Sequence, residues 1–197
     1  HVLPNAIVAP ELPPRGTPGD GFVYAGRLSR EKGLRTLLRA AEMARVPLSV
    51  AGTGPLEESL RKRAPEHVRF LGRLAGDQVD RLLSGCRAAV VPSEWAENAP
   101  MSVLEPMALG RPVIATRMGG IPEQVRDGVD GVLVDAGDVL QLAAALRVLA
   151  DDALLAERLG RSARERTITT FSPQVHLDGL VDIYSAARGS SVGRKRI

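Results

Sequence analysis

One cysteine in 197 residues leaves no partner for an internal disulfide, so a disulfide scaffold is excluded. Cys86 lies in an apolar stretch just before a strand-like run and reads as a buried structural thiol rather than a nucleophile. The three histidines, His1, His67 and His176, are too scattered to suggest a metal site and read as surface or packing residues. Aromatic residues make up 3% of the chain, a poor supply of the stacking platforms that single-stranded nucleic-acid binders use. No run approaches the roughly 20 apolar residues of a membrane-spanning helix. The opening His1-Val2-Leu3-Pro4 lacks the basic-then-apolar layout of a signal peptide, and the expected location is the cytosol. Net charge is also scarce. Arg188, Arg194, Lys195 and Arg196 crowd the end of the chain, and subtracting these four cations from the formal +3 leaves about −1. With Gly189, Ser190, Ser191 and Gly193 they read as a disordered basic tail over 188–197, solvated in preference to making a peripheral contact with anionic lipid.

What remains is ordinary globular material, 44% hydrophobic and 25% charged. Residues 1–20 hold Pro4, Pro10, Pro13, Pro14 and Pro18 without sustained periodicity and read as a linker, with another domain expected before it. Over 21–187, short apolar runs alternate with helical patterns. The runs are Phe22 to Ala25, Leu48 to Ala51, Val68 to Leu71, Ala88 to Val91, Val113 to Ala115 and Val132 to Val134. Helical spacing between them, as in Leu34 to Ala44 and Met101 to Leu109, predicts βαβ units and an α/β, Rossmann-like, doubly wound parallel sheet. From about Val139 the pattern is helical throughout, and Ser172-Pro173 supplies an N-cap and a first-turn proline for a last helix.

In such a sheet, ligands bind outside the carboxyl ends of the strands, so the loops after the apolar runs should carry the chemistry. The first, Gly26 to Gly33, places Arg27 and Lys32 in a strand-to-helix turn, where a chelating guanidinium and a mobile ammonium suit a diphosphate. The second, Ala51 to Leu56, contains Gly52 and Gly54. It is superficially similar to a dinucleotide fingerprint, but Glu57 replaces the third glycine and no acid stands about 20 residues on, so a nicotinamide cofactor is rejected. Its glycines fit a tight turn and a close approach to ligand equally well. The third, Glu97 to Thr116, spaces Glu97 and Glu105 eight positions apart around a helix start at Pro100. The positive end of that helix favours phosphate, and carboxylates beside it suit sugar or ribose hydroxyls. The fourth, Gly119 to Val125, reads as a turn, with Glu123 as a first-turn acid.

Together these residues resemble the carboxy-terminal, donor-binding domain of the GT-B glycosyltransferases, specifically the retaining group called glycosyltransferase family 4. The similarity runs from Pro4-Asn5-Ala6-Ile7 through both glutamates and the double glycine to the helix of Tyr184, nearly the whole chain. It implies that Arg27 and Lys32 bind the donor diphosphate and that Glu97 meets the donor sugar. Glu105 is expected to hold the ribose hydroxyls, while Gly26, Gly52 and Gly54, with Gly72 and Arg73 at the base, form the substrate wall. The family's glycine-aromatic-glycine after the first glutamate is replaced by Asn98-Ala99-Pro100. Pro100 has no N–H to donate, so backbone contacts to the donor pass to Asn98, Met101 or Ser102. The partners implied are a UDP-type or GDP-type sugar donor and a separate amino-terminal, acceptor-binding domain; no nucleic acid, cofactor or metal is implied, and the chain has no Asp-x-Asp motif. Ala75 and Gly76, where some guanine-binding relatives carry an acid, tilt the expectation to uridine. The implied reaction is retaining hexosyl transfer, feeble or absent without the other domain. Rival classes are a nucleotide-sugar binding module, a GT-B epimerase or phosphorylase, and a glycoside hydrolase, which would have no need of the diphosphate loop. The last helix, cut off from that domain, should expose part of its apolar side.

Overall fold

The computed structural model describes residues 3–10 and 19–191. Six strands, β1 (Phe22–Ala25), β2 (Leu48–Ala51), β3 (Val68–Gly72), β4 (Ala88–Val91), β5 (Val113–Thr116) and β6 (Gly131–Val134), form one sheet in the order β3-β2-β1-β4-β5-β6. Every pairing is parallel. The predicted runs match these strands to within a residue or so. Short Val- and Ala-rich runs buried on both faces can hydrogen-bond only to neighbouring strands, and helical crossovers force those neighbours to be parallel. The chain order reverses between β1 and β4, which makes the carboxyl end of that pair the topological switch point.

Alternate side chains feed opposite faces. Phe22, Tyr24, Ala88, Val90 and Ile114 join a core with α1 (Leu34–Ala44) and α6 (Val139–Asp151). Val91, Val113 and Ala115 face α4 (Met101–Ala108) and α7 (Ala153–Thr170), while Val23, Ala89 and Cys86 pack with Leu83 of α3 (Gly76–Ser84). In α1 the buried Leu34, Leu37, Leu38 and Ala41 repeat at helical spacing, each large side chain contributing about 2 kcal/mol by its burial. Asp138 caps α6 through Gln141 N (3.0 Å), and Asp152 both ends α6 and caps α7 through Leu155 N (2.8 Å). The short helices α2 (Glu57–Arg61) and α5 (Ile121–Gln124) fill the remaining crossovers. Cys86 is buried, which pushes its thiol pKa up to about 12 and leaves it inert at neutral pH.

Helix α8 (Pro173–Ser191) begins where expected, with Ser172 Oγ accepting from Val175 N at 3.4 Å. It leaves Val175, Leu177, Val181 and Tyr184 exposed, as expected of this helix. The basic-tail reading needs correcting at its start: residues 188–191 belong to the last turn of α8, and 192–197 lie outside the described residues. Gly189 and the two serines are poor helix formers, yet the helix propagates through them. Residues 3–10 have no regular secondary structure and are tied to the ends of α7 and α8 and to the loop before α4. Ile7 N donates to Phe171 O (2.8 Å), His176 Nδ1 lies 2.9 Å from Pro4 O, and Asn5 Nδ2 donates to Ala99 O (2.8 Å). Among the described residues no helix is long and apolar enough to cross a membrane.

Candidate functional site

A cleft of about 480 Å³ opens at the carboxyl ends of β1, β2 and β3. Its wall is the backbone of Ala25, Gly26, Ala51, Gly52, Thr53 and Gly54, with Arg27, Arg73, Leu74 and Val79 projecting from the rim. Two arginines and no acid among these lining residues make an electropositive mouth, and Leu74 and Val79 give it an apolar flank. The wall is stitched together: Leu28 N donates to Thr53 O (2.9 Å), Leu56 N to Leu28 O (3.0 Å) and Gly52 N to Gly72 O (2.7 Å). Glycine is required here. Gly52 has φ +132°, and a β-carbon on it would lie 1.8 Å from Gly26 O; one on Gly54 would lie 2.4 Å from Leu28 O. Their close backbone approach is thus to the neighbouring loop, while they also line the cleft. Gly72 contributes its carbonyl to this stitching.

Arg27 is exposed, and its guanidinium has no hydrogen-bond or ion-pair partner among the described residues. Tyr24, buried in β1, anchors the backbone instead, its hydroxyl donating to Arg27 O at 2.7 Å. Burial, with Glu97 and Glu31 nearby, pushes the Tyr24 pKa well above the usual phenol value, so it stays a neutral donor. After Arg27, a single 3-10 turn (Arg30–Lys32) turns the chain so that Lys32 reaches the loop after β4. There Lys32 Nζ meets Glu97 Oε1 at 2.5 Å, and Ser93 Oγ donates to the same oxygen at 2.6 Å. Burial disfavours the Glu97 charge, but the hydrogen bonds from Lys32 and Ser93 outweigh it and hold the carboxyl below the usual glutamate range. Its Oε2 has no hydrogen-bond partner among the described residues.

The double glycine holds the backbone of that loop. Gly120 N donates to Glu97 O at 2.6 Å, and β-carbons on Gly119 (φ +55°) and Gly120 would lie 2.1 Å from Glu97 O and 1.8 Å from Asn98 O. Glu123 does not join the site through its side chain; its carbonyl accepts from Arg166 Nη2 at 2.8 Å. Helix α4 starts at Met101 with no side-chain cap, so the first-turn N–H groups of Met101 and Ser102 are available to an anion; Met101 is exposed and Ser102 half-buried.

Glu105 stands apart from the Lys32 pair. It is half-buried, its carboxyl has no hydrogen-bond or ion-pair partner among the described residues, and burial, with Asp80 of α3 nearby, pushes its pKa up. Asp80 follows Val79 of the cleft rim in α3, and Glu105 itself is not among the residues that line the cleft. A partly buried carboxylate without a donor is costly to the fold unless a ligand supplies one. The structure therefore gathers Gly26, Arg27, Gly52, Gly54 and Arg73 around one cleft and joins Lys32 to Glu97 beside it. Asn98, exposed, offers a carbonyl already packed against Gly120. Sequence reasoning missed Ser93, Tyr24 and the rim residues Leu74 and Val79. The only signal for Ser93 was its place two residues after β4.

Residues 16–166 match the family model described as glycosyl transferases group 1. A glycogen synthase of Mycobacterium tuberculosis is 34% identical over 202 residues, covering 95% of this chain and 48% of the relative. The Anabaena protein HepE, solved with UDP, superposes with a TM-score of 0.75 at 23% identity, over 84% of this chain and 48% of that one. A carboxy-terminal domain of a glycosyl transferase group 1 protein from Francisella tularensis gives a TM-score of 0.70 at 24% identity, over 78% of this chain and 86% of that one. The chain thus spans about half the length of the curated relatives it matches, and its sheet has the Rossmann-like form of GT-B glycosyltransferases. This chain belongs to the glycosyl transferases group 1 family.

Proposed function

We propose that this chain is the carboxy-terminal, donor-binding half of a retaining hexosyltransferase of glycosyltransferase family 4. It takes a nucleotide diphosphate sugar, of UDP type in preference to GDP type, and an amino-terminal domain joined through residues 1–20 presents the acceptor. The observation that carries this reading is the mouth beside the switch point, where the exposed Arg27 guanidinium and the Lys32–Glu97 pair stand beside a glycine-walled cleft with no acid among its lining residues. HepE, of the same fold, was solved with UDP.

Departure of the diphosphate leaves an oxocarbenium-like sugar and adds negative charge to the leaving group. Arg27, Lys32 and the N–H groups of Met101 and Ser102 stabilise that charge, and losing one such contact raises the barrier by about 3 kcal/mol. No step in this scheme calls for a metal. Glu97 accepts from sugar hydroxyls, Glu105 from the ribose, and Arg73 and Leu74 border the base. The chain alone holds donor without efficient turnover, because the other half positions the acceptor and excludes water. A cytoplasmic setting is part of this reading, with a peripheral membrane contact where the acceptor is a lipid. Calorimetric titration with UDP, GDP, dTDP and ADP tests the reading. One nucleotide, a uridine one, should bind selectively and be lost in Arg27→Ala and Glu105→Ala. A folded chain that binds none of the four, or variants that bind as well as the parent, would refute it.

A further inference from the structure

Two donors converge on one oxygen of Glu97, and they differ in kind. Lys32 Nζ, at 2.5 Å, sits at the end of a flexible stem that is 31% exposed. Ser93 Oγ, at 2.6 Å, belongs to a side chain with no exposure at all. Ser93 is itself held from below, since Thr116 Oγ1 at the buried end of β5 donates to Ser93 O at 2.6 Å. The glutamate backbone is pinned separately by Gly120 N. Both side-chain bonds fall on Oε1, and Oε2 has no partner among the described residues.

We infer that Ser93 is a positioning residue for the donor sugar: it fixes the Glu97 carboxylate by Oε1 and so presents Oε2 to a sugar hydroxyl. The inference rests on the donor-binding reading above. When a diphosphate arrives, its oxygens compete with Glu97 for the Lys32 ammonium. Ser93 is then the one remaining side-chain tie on the carboxylate, and being fully buried it does not exchange with water. A serine acting in this way affects the sugar and not the nucleotide. A serine that merely completes the packing under the loop affects both alike, through the loop as a whole.

Two measurements separate these cases. The first follows the Glu97 carboxyl by carbon NMR through an acid titration, without ligand. Lys32 and Glu31 face the same carboxyl and are unchanged in Ser93→Ala. Removing the hydroxyl should therefore move the Glu97 midpoint upward, and an unmoved midpoint would overturn the Ser93–Glu97 link. The second compares UDP with UDP-glucose by calorimetry. Ser93→Ala should weaken UDP-glucose about tenfold and leave UDP within about twofold, the size of effect expected for one hydrogen bond to a charged group. Equal weakening of both ligands would overturn the positioning role. Thr116→Val cuts the tie to the Ser93 carbonyl while leaving the hydroxyl in place, and should shift the same ratio in the same direction by a smaller factor. A parent chain that binds neither ligand would sink the donor-site proposal, while the titration would still decide whether Ser93 governs Glu97.

Discussion

Replacing Glu97 by glutamine should strengthen the binding of bare UDP. In the free chain the Lys32 ammonium is already neutralised by a carboxylate 2.5 Å away, with the two side chains 31% and 17% exposed. A diphosphate must take the lysine from that partner. At this separation the Coulomb attraction is about 1.7 kcal/mol in the dielectric of water, and several times more at the lower effective dielectric of a protein surface. Desolvation and side-chain entropy cut the net value of such partly exposed pairs to about 1 kcal/mol. Glutamine keeps the shape and can still accept from Ser93, but it surrenders the lysine, so the Kd for UDP should fall about fivefold, which is the same 1 kcal/mol. The gain should shrink as salt rises above about 0.1 M, where exposed charges are screened. UDP-glucose should not share the gain, because Glu97 is also a proposed sugar ligand. Calorimetry with both ligands at two salt concentrations measures all of this. A folded Glu97→Gln chain that binds UDP no better than the parent would refute the competition, and with it the placement of the diphosphate at Lys32.

The other glutamate should behave in the opposite sense. The Glu105 carboxyl is half-buried with no donor among the described residues, and burial works against its ionised form, so Glu105→Gln should raise stability by about 0.5 kcal/mol in urea denaturation while weakening nucleotide binding at least tenfold; a destabilised variant would contradict the account. Gly120→Ala puts a β-carbon 1.8 Å from Asn98 O and must displace the Glu97 loop; it should unfold at least 2 kcal/mol more easily by the usual scale of overpacking, and the Glu97 carboxyl should titrate nearer its ordinary value. Asp130 has no exposure, accepts from Arg126 Nε and Nη2 at 2.6 Å each and from Ser162 Oγ at 2.9 Å, and pairs with the largely buried Arg166 Nε at 3.6 Å, so Asp130→Ala, which leaves Arg166 without that carboxylate, should cost about 3 kcal/mol in chemical denaturation. Acid should act through the same groups. Burial opposes their ionisation, but hydrogen bonds hold Asp130, Asp127 and Glu97 below their ordinary values. Their stabilisation is therefore complete above the unfolded values of about 4 and is lost as the pH falls through the lower folded ones, whereas Glu105, raised, loses its penalty over a higher range. Thermal melts from pH 6 down to about 3 would show the decline; a midpoint independent of pH would contradict it.

The sheet was legible because its strands are short apolar runs, most of them rich in valine and alanine and buried on both faces, with only the edge strand β3 half-exposed. Helix ends were less so. Pro55 reads as a helix opening, yet α2 begins at Glu57, after a turn in which Leu56 N bonds back to Leu28 O across the loops. The spacing of Glu97 and Glu105 drew attention to both, but not to their different surroundings, one ion-paired and one bare. Those follow from the 3-10 turn that carries Lys32 across to β4, a path set by tertiary contacts. Ser93 was invisible for a similar reason. A hydroxyl after a strand is indistinguishable in sequence from any turn residue until the neighbouring carboxylate is placed. Tyr24 reads as core and is core, and its hydroxyl's bond to the Arg27 carbonyl is a by-product of depth that no pattern records.

The stitched wall of the cleft bears on how this site can diversify. Three successive loops share backbone hydrogen bonds, with glycines filling the gaps between them too tightly for any β-carbon at Gly52 or Gly54. An insertion or a larger residue in one loop would displace the other two, so the backbone can only be inherited whole. Variation is left to the side chains that stand clear of the weave, Arg73, Leu74 and Val79. If the cleft holds a nucleotide as proposed, substitutions at those rim positions would change which base is preferred, while the floor stayed the same.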